Sequence, residues 1–103
     1  MAKFELRKYT QVLAESSVLE EYIIPDGKNI VLSEIGGDAA RSENVKVELL
    51  WGTELFFSTH GDSVQRTIKE CLGDGEKKLI IKLTNDTLVS ETIGGYILGD
   101  YYN

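Results

Sequence analysis

Apolar side chains recur at every second position through most of this chain, and no stretch sustains the 3.6-residue period of a helix of convincing length. In VKVELLW, Val45, Val47, Leu49 and Trp51 share one face and Lys46 and Glu48 the other. EKKLIIKLTN places Leu79, Ile81 and Leu83 opposite Lys78, Ile80, Lys82 and Thr84, and KFELRK sets Phe4 and Leu6 on one side. A period of two is the signature of half-buried strands, since successive side chains of a strand point to opposite faces. Such strands are stable only when their apolar faces cover one another. Val47, Trp51, Leu79, Ile81 and Leu83 are therefore expected in the core.

Turn chemistry divides the pattern into short strands. Pro25, Asp26 and Gly27 end VLEEYII; Gly52-Thr53 joins VKVELLW to ELFFST as a tight hairpin; His60-Gly61-Asp62 closes ELFFST. Gly73-Asp74-Gly75 and Asn85-Asp86 frame the strand between them. NIVLSEI is expected to stop at Gly36-Gly37, followed by an exposed loop, GGDAARSEN, with room for a helical turn at Asp38–Arg41. SVQRTIKECL can be drawn as a helix through Val64, Ile68 and Leu72, but its β-branched residues favour a strand. TLVSETI, Gly94-Gly95 and YILGDYY read as one or two closing strands. The total is eight to nine, and 103 residues form one domain. The fold class is all-β, an antiparallel β-sandwich or jelly roll.

The charge pattern narrows the partners. Eleven basic residues stand against 17 acidic ones, a net charge of −6. By count, residues 1–51 hold 6 and 9, and residues 52–103 hold 5 and 8, so each half carries −3. Without a basic cluster, neither nucleic acid nor an anionic membrane is an expected partner. No segment reaches the ~20 apolar residues of a spanning helix, and MAKFELRKYT lacks the apolar run of a signal peptide. A soluble protein made in a reducing compartment is expected. The lone Cys71 has no partner for an internal disulfide and reads as a buried structural thiol.

Catalytic and metal constellations are weak. Gly73-Asp74-Gly75 lacks the spacing of a phosphate-binding loop. Asp62, Asp74 and Asp86 lie on three separate turns, where local backbone hydrogen bonding is the ordinary role. STHGDS brings Ser58, His60, Asp62 and Ser63 together in sequence, but a catalytic triad converges through the fold and not along one turn. Asn85-Asp86-Thr87 matches a glycosylation acceptor that a chain without a signal peptide would not present. No enzymatic activity, cofactor or metal is expected. Tyr96, Tyr101 and Tyr102, with Trp51, offer flat faces for a sugar ring, against a reading in which Trp51 is core and the tyrosines seal the sandwich or an interface.

The succession YIIPDGK, IGG, VELLWGTELFFSTHG, GDGEKKLIIKLTND and GGYILGDY resembles the small β-sandwich structural proteins of tailed-bacteriophage virions, the head decoration and tail accessory type. The resemblance spans most of residues 18–101 and lies in turns and strand spacing, so no site residue transfers with it. It implies a non-enzymatic subunit located in the virion, made in the host cytoplasm and bound to a capsid or tail protein. A carbohydrate-binding module is the alternative. Residues 1–13 read equally as an arm that pairs with a neighbouring subunit and as the first strand of the sandwich. A homo-oligomer is expected, with Phe4, Leu6, Tyr9, Tyr96, Tyr101 and Tyr102 as the candidate interface in residues 1–13 and 96–103.

Overall fold

A computed structural model describes residues 2–102. Eight strands succeed one another: β1 (Lys3–Val12), β2 (Ser16–Ile23), β3 (Asn29–Asp38), β4 (Val45–Trp51), β5 (Glu54–Thr59), β6 (Ser63–Leu72), β7 (Lys78–Asn85) and β8 (Glu91–Tyr102). They form two four-stranded antiparallel sheets, ordered β1-β8-β3-β6 and β2-β7-β4-β5. Among the described residues no helix is long and apolar enough to cross a membrane.

These orders follow from a single long hairpin. The β4–β5 turn sits at its tip, where Gly52 takes a φ of 63°, and outward from it β3 pairs with β6, β2 with β7 and β1 with β8. Rolled onto itself, this ribbon gains two further ladders, β3–β8 and β4–β7, and closes as a jelly roll. Each sheet then has one face to bury, which is why a period of two runs through the strands, changing phase only where the ladders of β3 and β5 are irregular.

The core lies between the sheets. Ile30, Leu32, Ile35, Ile93 and Ile97 of the first sheet meet Val45, Val47, Leu49, Trp51, Leu79, Ile81 and Leu83 of the second, all buried. The five residues expected in the core are there. Cys71 is buried too, and burial pushes its thiol up to about 11.

One expectation is corrected, and two alternatives that the sequence left open are decided. β3 does not stop at Gly36-Gly37 but runs to Asp38, which removes the helical turn at Asp38–Arg41. Gly94-Gly95 does not divide the closing segment, because β8 is continuous and the strands number eight. The same cause underlies both: these glycines make room for neighbours instead of turning the chain. A Cβ on Gly95 would stand 2.9 Å from Ile81 Cγ2 and 3.0 Å from Val47 Cγ1, and one on Gly36 would meet the Tyr96 ring. Of the two readings of the N-terminal segment, the first strand of the sandwich is the one adopted by residues 3–12. They form β1, hydrogen-bonded along its length to β8.

One aromatic cluster closes the end of the sandwich where β1 begins. The Phe4 ring stands edge-on to Tyr101 at 5.7 Å and tilted to Tyr22 at 5.3 Å, and the two tyrosine hydroxyls lie 2.8 Å apart. Burial, then the hydrogen bond with Tyr22, pushes the Tyr101 hydroxyl up to about 12. In the unfolded chain a thiol ionises near ~8.5 and a phenol near ~10. Both groups are thus held neutral by folding, so their contribution is complete below those values and is lost as pH rises through about 11 and 12. Denaturant melts at stepped alkaline pH should show stability falling from about pH 9 upward. Tyr101→Phe should flatten the part of the decline above about pH 10 and leave the earlier part. A profile unchanged by that substitution would contradict the assignment.

Candidate functional site

The six residues expected at an interface do not form one surface. Alternation along β1 and β8 sends Phe4, Leu6 and Tyr101 into the sandwich, and Tyr9, Tyr96 and Tyr102 onto the outer face of the first sheet. Phe4 is buried and leaves the interface set; Leu6 and Tyr101 pack against the core.

On that outer face the glycines are again what positions the tyrosines. A Cβ on Gly94 would lie 2.3 Å from Tyr9 Cδ2, so the Tyr9 ring occupies the space a side chain would take and remains 65% exposed. Tyr96 occupies the space above Gly36 in the same way, donates its hydroxyl to Glu34 Oε2 at 3.0 Å and carries the Arg7 guanidinium 4.9 Å from its ring centroid. Burial, followed by the Glu34 hydrogen bond, raises the Tyr96 hydroxyl above its ordinary range. Tyr9, Tyr96, Arg7 and Asp38 line a cleft of about 180 Å³ whose floor is Gly94-Gly95. Asp38 is hydrogen-bonded to Asp62, which with burial holds its carboxyl above the usual carboxylate range.

A second feature lies on the same face at the sheet's edge, and sequence reading missed it. β6 is paired on one side only, with β3. Its outward residues are Val64, Arg66, Ile68, Glu70 and Leu72, all exposed, with Ile68 90% exposed. The ladder explains that value: Leu32 pairs with Lys69 but Glu34 pairs with Arg66, so Thr67 and Ile68 together face Ser33 and Ile68 is lifted from the sheet. The signal was present as the V-x-R-x-I-x-E-x-L alternation, but Val64, Ile68 and Leu72 were weighed only as a helix face against the strand preference of the β-branched residues, and not as a surface.

The other candidates have local roles. Nδ1 of His60 lies 3.0 Å from the Val45 carbonyl and 3.2 Å from that of Ser42, so its partners are backbone oxygens. Asp62 accepts the Ala39 amide, and Asp74 accepts those of Glu76 and Lys77, which hold its carboxyl below the ordinary range. Asn85 is fully buried, donating to the carbonyls of Val12, Leu13 and Val89 while its Oδ1 accepts from the amide and hydroxyl of Thr87. It ties the β1–β2 loop to the β7–β8 loop, and Leu13, Leu88 and Val89 are exposed there. Trp51 is core, with Lys77 Nζ 4.8 Å from its ring centroid.

The chain matches no family model and no curated protein sequence.

Proposed function

We propose that this protein is a non-enzymatic virion structural subunit of the capsid-decoration or tail-accessory type, acting through protein–protein assembly. The observation that carries the reading is β6, an edge strand ten residues long whose outward side presents Val64, Ile68 and Leu72 to solvent. These alternate with Arg66 and Glu70, and the two edges differ in how their charges are used: on β1, at the opposite edge of the same sheet, Lys3 is paired to Asp100 and Arg7 to Glu5, whereas among the described residues Arg66 has no ion-pair partner. The jelly roll supports the reading as an architecture of viral capsid domains. Fold alone does not confer function, so the weight rests on the edge. Quantitative mass spectrometry of purified particles from the virus encoding the chain tests it. A fixed copy number per particle is expected; absence from particles, with the protein abundant in the infected cell, would overturn it.

The Tyr9–Tyr96 cleft favours a second reading, a saccharide-binding module. The exposed Tyr9 ring over Gly94 presents an apolar face to a pyranose, and Asp38 and Arg7 can bond its hydroxyls. Glycan-array binding lost in Tyr9→Ala is the expected result under that reading. An array with no signal from the wild-type protein would exclude it.

A further inference from the structure

We propose that two copies of this chain associate through the outward stripe of β6, antiparallel about a two-fold axis passing at Ile68. The inference rests on the assembly reading above and names the surface and the partner. The stripe reads Val64, Arg66, Ile68, Glu70, Leu72, and it is complementary to itself when reversed. Under a two-fold at Ile68, each Ile68 meets its copy, Arg66 meets Glu70 of the partner in both directions, and Val64 meets Leu72. An isologous interface demands this property, because the same patch must serve as both halves.

The groups involved are available for it. Among the described residues Arg66 has no ion-pair partner, and Glu70 accepts only the Tyr102 hydroxyl, at 2.7 Å, leaving carboxylate lone pairs for a guanidinium. Lys69, on the opposite side of the strand, is engaged with Glu54 at 2.8 Å and lies over Phe56, so it does not compete. Ile68, beside the ladder irregularity, is the most exposed apolar residue of the stripe, so the proposed axis passes through an apolar contact.

Neither β1 nor β2, two of the other edge strands, has the property. The outward residues of β2 are Ser17, Leu19, Glu21 and Ile23, and reversal about Glu21 sets carboxylate against carboxylate, while reversal about Glu20 sets Leu19 against Glu21. The outward charges of β1 are already paired within the chain. The sequence interval of two residues between Ile68 and each charge is therefore a register mark, and it makes the proposal specific.

Two measurements on the full chain test it. In a Cys71→Ala background, Ile68→Cys should form a disulfide-linked dimer on mild oxidation, since residues opposed across antiparallel strands stand within ~4.4–6.8 Å between Cα atoms, the disulfide range. Val64→Cys alone should crosslink poorly, because its expected neighbour is Leu72. In sedimentation, Arg66→Glu should weaken dimerisation about tenfold or more by setting carboxylates against Glu70, the double variant Arg66→Glu/Glu70→Arg should restore it, and Ile68→Asp should abolish it. Ile68 is solvent-exposed, so these variants keep the fold, which circular dichroism checks. A dimer indifferent to all of them would overturn this interface and leave the assembly reading intact. A wild-type chain that stays monomeric would overturn this interface and remove self-association from that reading.

Discussion

Replacing Ile81 by alanine should cost ~2–5 kcal/mol, the range for large-to-small changes in a packed core. Ile81 is fully buried at the middle of β7, with Leu49 and Glu20 as its ladder neighbours. Its Cγ2 sits over Gly95 of the facing sheet, which with Gly37 lets the two sheets approach closely around Val47. Gly95→Ala by itself should also destabilise, because the added Cβ falls 2.9 Å from Ile81 Cγ2 and 3.0 Å from Val47 Cγ1, and both contacts are core side chains with little freedom to give. Combined, the two changes should be less harmful than their sum, since the new methyl enters the space the isoleucine vacates. Urea melts of the four proteins supply the cycle. Strict additivity would show that the two residues do not share the volume assigned to them, and a loss below about 0.5 kcal/mol for Ile81→Ala would place that face of β7 in solvent.

The second large effect is expected at Asn85. Its side chain donates to three backbone carbonyls and accepts one backbone amide while fully buried; in Asn85→Ala the Leu13 carbonyl keeps Ser16 Oγ and that of Val89 keeps Thr87 Oγ1, so the Val12 carbonyl and the Thr87 amide are the groups that lose their side-chain partner. With ~1–3 kcal/mol for each of these two, the loss should be ~2–6 kcal/mol. Asn85→Asp is the sharper variant because it preserves shape. Its carboxylate could still accept from Thr87 but could not donate to Val12, Leu13 or Val89, and burial would raise its pKa. The variant is therefore expected to be unstable at neutral pH and to recover as pH falls far enough to protonate it. Equal stability of Asn85→Asp and the wild type at pH 7 would show that the amide donors carry nothing.

These two residues also mark what could be read from the chain and what could not. Ile81 was legible because its alternation with Lys78, Lys82 and Thr84 names a face without reference to any neighbour. Asn85 looked like a turn residue, and only the convergence of two loops from distant parts of the chain makes it the buried hub that it is. Gly36 and Gly94 were misread for a related reason. A glycine that turns the chain and one that accommodates a ring from the next strand look alike until the pairing of β1 with β8 brings Tyr9 over Gly94. Assignment of strands to sheets was equally hidden, because both sheets carry the same period. Nested pairing around the Gly52 turn, which distinguishes a jelly roll from other sandwiches, is a property of the ladders alone.

The pairing of β1 with β8 makes deletion of the N-terminal segment a poor test of assembly. Removing residues 1–13 would take Phe4 and Val12 out of the core along with the whole of β1, so the truncated chain would report on stability and not on assembly. Point changes at exposed positions of β6 avoid that difficulty.

Sedimentation equilibrium of the intact chain across a micromolar concentration series bears most directly on the claim that this protein works by assembling. The account predicts a mass that rises from that of one chain toward twice that value as concentration increases, with Ile68→Asp held at the single-chain mass throughout. A wild-type protein with the single-chain mass at every concentration would contradict it.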